Sequence, residues 1–136
     1  MSAVAIMRAL LIAHAPVAAL VPAERVIAGT IPEGTQLPAI SVMEVGGDEL
    51  PTIARAGATT TNVMRVQVTT VALSYAMQKS LMAATKLGPG VHTGTVVGFD
   101  LKAVQPAGIG PDLNNLDDDG IYEQSRDFMV TFSEPN

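Results

Sequence analysis

The sequence has no cysteine, which excludes disulfide frameworks, thiolate metal clusters and cysteine nucleophiles together and leaves the redox compartment open. It also has little charge. Only 15% of its 136 residues are charged against 48% apolar, a rich apolar share for a small chain whose surface is large relative to its volume. No apolar run reaches the ~20 residues that a bilayer-spanning helix needs. The amino-terminal run Met1 to Ala15 carries Arg8 and His14 inside it and stops at Pro16. Its charge does not precede the apolar stretch, and Val17 to Val21 followed by Pro22 is a poor cleavage context, so the run predicts a core helix of an intracellular or intracellularly assembled protein.

Catalytic signatures are missing as well. There is no Gly-x-Ser-x-Gly elbow, and "GPGVHTGT" (88–95) lacks the lysine and hydroxyl of a phosphate loop and leads into a strand instead of a helix. "GIGPDL" (108–113) fails as a dinucleotide fingerprint because Pro111 interrupts it. Neither His14 nor His92 has a second histidine at metal-ligand spacing. The residues therefore predict no enzyme and no cofactor.

The length fits one domain, residues 1–136. Apolar surface left exposed on so small a unit points toward an oligomer or a subunit of a larger assembly. The charge is uneven: Asp112 to Asn136 holds seven acids and one base, whereas Met1 to Pro111 is close to neutral. Such an acidic end repels phosphate, which argues against a nucleic-acid-binding module.

Ser2 can cap a first helix whose stripe of Val4, Ile6, Met7, Leu10 and Leu11 ends at Pro16, followed by a turn, "PVAALVP". Arg25 to Ala28 reads as a brief extended segment, Gly29 to Pro38 as a loop, and Ala39 to Val45 as a strand. "GGDELPTIARAGATTT" (46–61) reads as a long connection or a protruding hairpin arm. Asn62 to Leu73 alternates clearly, with a flip expected near Val71. The period then becomes helical through Leu73, Met77, Leu81 and Ala84, with Ser74 as cap and Gly88-Pro89 as stop. "GTVVGFDLKAV" predicts a strand bulged at Gly98, "QPAGIGPDLNNLDDDG" a loop, and Ile121 to Ser133 a closing strand. The mixed order predicts an α+β fold, mostly antiparallel sheet with two main helices packed on one face and a long hairpin arm or loop.

The acidic stretch "LDDDGIYEQSRDFMVTF" (116–132) raises the one chemical question. Asp112, Asn114, Asn115, Asp117, Asp119 and Glu123 offer oxygens for calcium, but an EF-hand register begun at Asp112 puts Leu116 at its fifth position and Asp117 where glycine belongs. A solvated turn at Asp117, Asp118, Asp119 and Gly120 fits better, its charge guarding a strand that carries Tyr122, Phe128, Val130 and Phe132 at even positions.

Taken in order from Met1 to Phe132, the apolar first helix, "ALVPAERVIAGTIPEGTQLPAISV", the long strand running into "SYAMQKSLMAATKLG" and the closing "GIYEQSRDFMVTF" resemble the tail completion, or tail terminator, proteins of long-tailed bacteriophages. The resemblance implies a structural virion subunit, assembled in the host cytoplasm, that forms a ring of six copies at the head-proximal end of the tail tube. Such a ring stops tube polymerisation and joins the tail to the head connector. Its partners would be further copies of itself, the tail tube protein and the head-tail connector proteins, with no membrane, no cofactor and no sequence-specific contact to the DNA that passes through. Expected contact residues are Ile31, Pro32, Glu33 and Gly34 of the first loop, Asp48, Glu49 and Arg55 of the arm, and Tyr122, Glu123 and Arg126 of the last strand. Asp117, Asp118 and Asp119 would line the lumen or form a turn. A head-tail connector, a minor tail subunit and a small calcium-binding interaction domain are the alternatives.

Overall fold

A computed structural model describes residues 2–50, 59–87, 93–115 and 120–135. Helix α1 (Ser2–Ala13) begins at Ser2, whose side chain lies outside the described residues. Ala3, Ile6, Met7 and Leu11 recur at three- and four-residue spacing and are fully buried, the single apolar stripe that a helix turns toward a core. Arg8 flanks that stripe and donates from Nε to the Val26 carbonyl (2.7 Å) and from Nη2 to that of Ala23 (3.2 Å).

The stretch after Pro16 departs from expectation. His14 is extended, and Pro16 opens a second short helix, α2 (Ala15–Ala18), because a proline in the first helical turn removes an N–H that has no intrahelical partner anyway. A 3-10 turn (Ala23–Arg25) leads into β1 (Val26–Ala28), which pairs in parallel with β2 (Ala39–Leu50). Then follow β3 (Thr59–Ala72), α3 (Tyr75–Ala84), β4 (Gly94–Val96), β5 (Phe99–Ile109), β6 (Leu113–Asn115) and β7 (Ile121–Pro135).

The strands form one sheet in the order β1-β2-β3-β7-β5-β4, with β6 also on β7, and every pairing except β1–β2 is antiparallel. The sheet curls into a half-barrel with α1 and α3 packed against it, the α+β arrangement expected. Its covered face carries Ile40, Val42, Val66, Val68, Leu101, Val104, Phe128, Val130 and Phe132, all buried, with Phe99 meeting Phe132 edge-on at 5.9 Å between centroids.

Several boundaries differ from the sequence reading, each for a local reason. No flip occurs at Val71: Thr70 stays on the covered face, fully buried, and its hydroxyl donates to the Gln124 carbonyl (3.0 Å). Val71 is buried too, from the opposite side, by the 30–37 loop. Leu73 is 65% exposed and precedes the helix; Ser74 caps α3 by accepting from the Met77 N–H, and the helix ends at Ala84, with Gly88 and Pro89 outside the described residues. Gly98 is no bulge. Val97 and Gly98, at φ +44° and +84°, form the two-residue hairpin turn between β4 and β5. The loop expected over residues 105–120 is largely strand, since β5 runs to Ile109 and β6 adds a further pairing. In the arm region the β2–β3 ladder continues through Leu50↔Thr61 beyond an irregularity between Glu44 and Gly46, so its described part is a hairpin stem.

Candidate interaction site

On the sheet face away from the helices, residues 29–38 cross back over β2, β3 and β7. The crossing is pinned at its root, where the Gly29 N–H donates to the Val42 carbonyl (2.9 Å) and the Ser41 hydroxyl to that of Gly29 (2.6 Å). A turn follows at Pro32 to Thr35: the Thr35 N–H reaches the Pro32 carbonyl at 3.2 Å, the Thr35 hydroxyl reaches it at 2.6 Å, and Gly34 at φ +85° supplies the left-handed position such a turn requires. Arg25 steadies the far side by donating to the Gln36 carbonyl (3.3 Å).

Between loop and sheet lies an open groove of about 710 Å³. Its walls are Ile31, Pro32 and Leu37 from the loop and Met43, Val71 and Ile121 from the sheet. Among the described residues, Glu33 and Glu123 are its two charged groups and no basic side chain lines it. Apolar walls with two carboxylates suit the binding of a partly apolar, basic group. Among the described residues, no group of three or more His, Asp or Glu side chains is placed to hold a metal ion.

A second polar assembly joins α3 to the carboxy-terminal strands. Lys79 and Asp112 form an ion pair (2.5 Å), the Tyr75 hydroxyl donates to the other Asp112 oxygen (3.0 Å), and Lys79 also reaches Gln124 Oε1 (2.9 Å). Gln124 in turn donates to the Gly110 carbonyl (2.8 Å), and Tyr75 packs edge-on against Tyr122 at 6.0 Å. The hydrogen bond from Lys79 holds the Asp112 carboxyl below its ordinary pKa, with Tyr75 adding to the effect, and the same bond raises Lys79. Both Asp112 oxygens are thus engaged by protein donors, which takes Asp112 away from the calcium set considered from the sequence.

The residues singled out from the sequence fall into separate places. Ile31, Pro32, Glu33, Gly34 and Glu123 converge on the groove. Asp48 and Glu49 are exposed at the far end of β2, on the hairpin stem. Tyr122 belongs to the Tyr75 contact. Arg126 lies under α3 and donates from Nη2 to the Met82 carbonyl (2.9 Å), where a cation meets the negative end of the helix. Burial pushes its pKa down, though a guanidinium remains protonated at neutral pH. Arg55, Asp117, Asp118 and Asp119 lie outside the described residues.

Sequence reasoning missed the role of Met43, Val71 and Ile121 as a wall and the Lys79–Asp112 pair. The first had a signal: the adjacent apolar residues Val71 and Ala72 break the alternation of β3, as in a strand covered on both faces. The second had none, since 33 residues separate its partners.

No protein-family model matches the chain, and no curated protein matches it either. Solved structures do share its fold. A chain from the virion of a native gene transfer agent particle aligns with a TM-score of 0.59 and 18% identity, covering 97% of this chain and 97% of that one.

Proposed function

We propose that this chain is a structural virion subunit, a tail terminator that closes as a ring at the head-proximal end of a tail tube and offers its outer surface to the head connector. The observation that carries the proposal is the match of fold with a virion chain over 97% of each chain. The resemblance of the sequence pieces to tail terminators supplies the finer role.

The distribution of apolar surface supports a cyclic assembly. A ring closes through two different patches on every copy. Met43 and Val45 are exposed on β2, toward one side of the sheet; Leu73, Tyr75 and Leu113 are exposed around the start of α3 and β6, toward the other. Both open sheet edges are guarded against indiscriminate pairing, β2 by the irregularity at Glu44 to Gly46 and β5 by Pro106. Side-chain patches therefore suit the contact better than strand addition. The acidic end is less charged than composition suggests, because Asp112 is paired with Lys79 and Asp127 with Arg65 at 2.7 Å. A lumen lining would fall to Asp117, Asp118 and Asp119.

Electron microscopy of the purified protein, alone and mixed with tail tubes, tests the reading. Rings that cap one end of each tube and halt its growth are expected. A particle that stays monomeric at every concentration and leaves tube growth unchanged would overturn it.

A further inference from the structure

We infer that the tip of the hairpin arm, residues 51–58, of one copy seats in the groove under the 30–37 loop of the next. The inference deepens the ring reading and rests on it for its partner, a second copy of this chain. It begins from a mismatch of place. Groove and arm share strand β2 but lie at its two ends: Ser41 and Met43 line the groove, whereas the stem ends at Leu50 paired with Thr61.

Leu50 lies seven residue steps along β2 from Met43, which in strand geometry is roughly 23 Å. The eight residues that leave Leu50 must return to Thr59, so even a fully extended excursion reaches only about 15 Å from the stem. An arm cannot fill its own groove. A neighbour's can, and because the two features differ, the contact is head-to-tail, the kind that closes rings.

The chemistry of the two parts is complementary. The groove is apolar with two carboxylates, Glu33 and Glu123, and no lining base among the described residues. The tip sequence "PTIARAGA" contains one large apolar side chain, Ile53, one cation, Arg55, and no acid. Seated as extended chain, positions 53 and 55 fall on the same face, so Ile53 can enter the apolar walls while the guanidinium meets a glutamate. Ala54, Ala56 and Gly57 are small enough to let the backbone approach. On the groove's own copy, Arg25 beside the loop is engaged at the Gln36 carbonyl (3.3 Å).

The absence of native cysteine makes the test clean. Two single variants, Ile53→Cys and Thr35→Cys, are mixed and oxidised; a covalent dimer linking the two is expected, and none when Lys102→Cys, on exposed β5, replaces Thr35→Cys. Arg55→Glu should weaken self-association on the order of tenfold, and Glu33→Lys with Glu123→Lys in the same chain should restore it. A synthetic peptide of residues 50–59, titrated into the wild-type chain, should bind and lose affinity when Glu33→Lys and Glu123→Lys are present in the receptor. Rings that form normally with Arg55→Glu, together with no cross-link and no peptide binding, would overturn the arm–groove contact and leave the ring reading standing. Failure of the chain to form rings while the peptide still binds in a charge-dependent way would do the reverse.

Discussion

At the scale of single residues, the hairpin stem depends on a position where no side chain fits. A Cβ at Gly47 would fall 2.5 Å from the Val63 carbonyl oxygen and onto the Met64 side chain, whereas one at Gly46 would meet nothing within 4 Å. Gly47→Ala should therefore force β2 from β3 and destabilise the chain by about 1–3 kcal/mol, with Gly46→Ala milder. Urea unfolding of the pair checks this; equal midpoints would refute it. Arg126 offers a second case. Arg126→Met removes the charge-assisted bond to the Met82 carbonyl, which Thr85 still satisfies from 3.1 Å, so the loss should be at the low end, about 1–2 kcal/mol, seen as a lower thermal midpoint. The sequence offered this arginine as a contact residue, although its inward direction could have been read there. It shares the even positions of Phe128, Val130 and Phe132, and period-two alternation places it on their face. Its partner was not legible, because a helix carbonyl 44 residues away leaves no trace in the local pattern.

At the scale of elements, the clasp between α3 and β6 has a defined pH window. The folded pKa of Asp112 lies below the ordinary 3.8, so its contribution is complete above about pH 4 and is lost as the pH falls through the lowered value. That of Lys79 lies above 10.5, so its contribution is complete below that value and is lost as the pH rises through the raised one. Both groups are well exposed, and the pair is expected to weaken with salt. The chain has two tyrosines and no tryptophan, and both tyrosines stand at this clasp. Tyrosine emission should change in an acid transition below pH 4 that Asp112→Asn abolishes; a transition that survives that substitution would place its origin elsewhere. The element pattern itself was mostly legible: α1, β2, β3, α3 and β7 follow from apolar periodicity and from Ser74 as a cap. What escaped were short pieces whose existence depends on neighbours. Three-residue β1, β4 and β6 carry too few side chains to show a period and form only because β2, β5 and β7 offer them a ladder. Gly98 read as a bulge because one glycine in an apolar run does not distinguish a kink from a reversal.

At the scale of the whole molecule, folding and assembly draw on different parts of the chain. Among the described residues the helices and the sheet's covered face bury the core, and the β2–β3 ladder runs through Leu50↔Thr61. Replacing residues 51–58 by Asn-Gly, which with Thr59 and Thr60 leaves a four-residue connection inside the Leu50↔Thr61 pair, should therefore leave secondary structure intact and the thermal midpoint within a few degrees of wild type. Association is a separate matter. If the arm–groove contact closes rings as proposed, loss of Ile53 and Arg55 leaves each neighbour's groove open to water, and the concentration at which rings form should rise at least about tenfold, a loss of roughly 1.4 kcal/mol or more per contact. Circular dichroism reports the first quantity and analytical ultracentrifugation across a concentration series the second. A shortened chain that assembles at the wild-type concentration would assign closure wholly to the exposed patches on β2 and around α3. One that fails to fold would show that the arm supports the stem as well as the neighbour, and the point variant Arg55→Glu, which leaves the hairpin length unchanged, then separates the two roles.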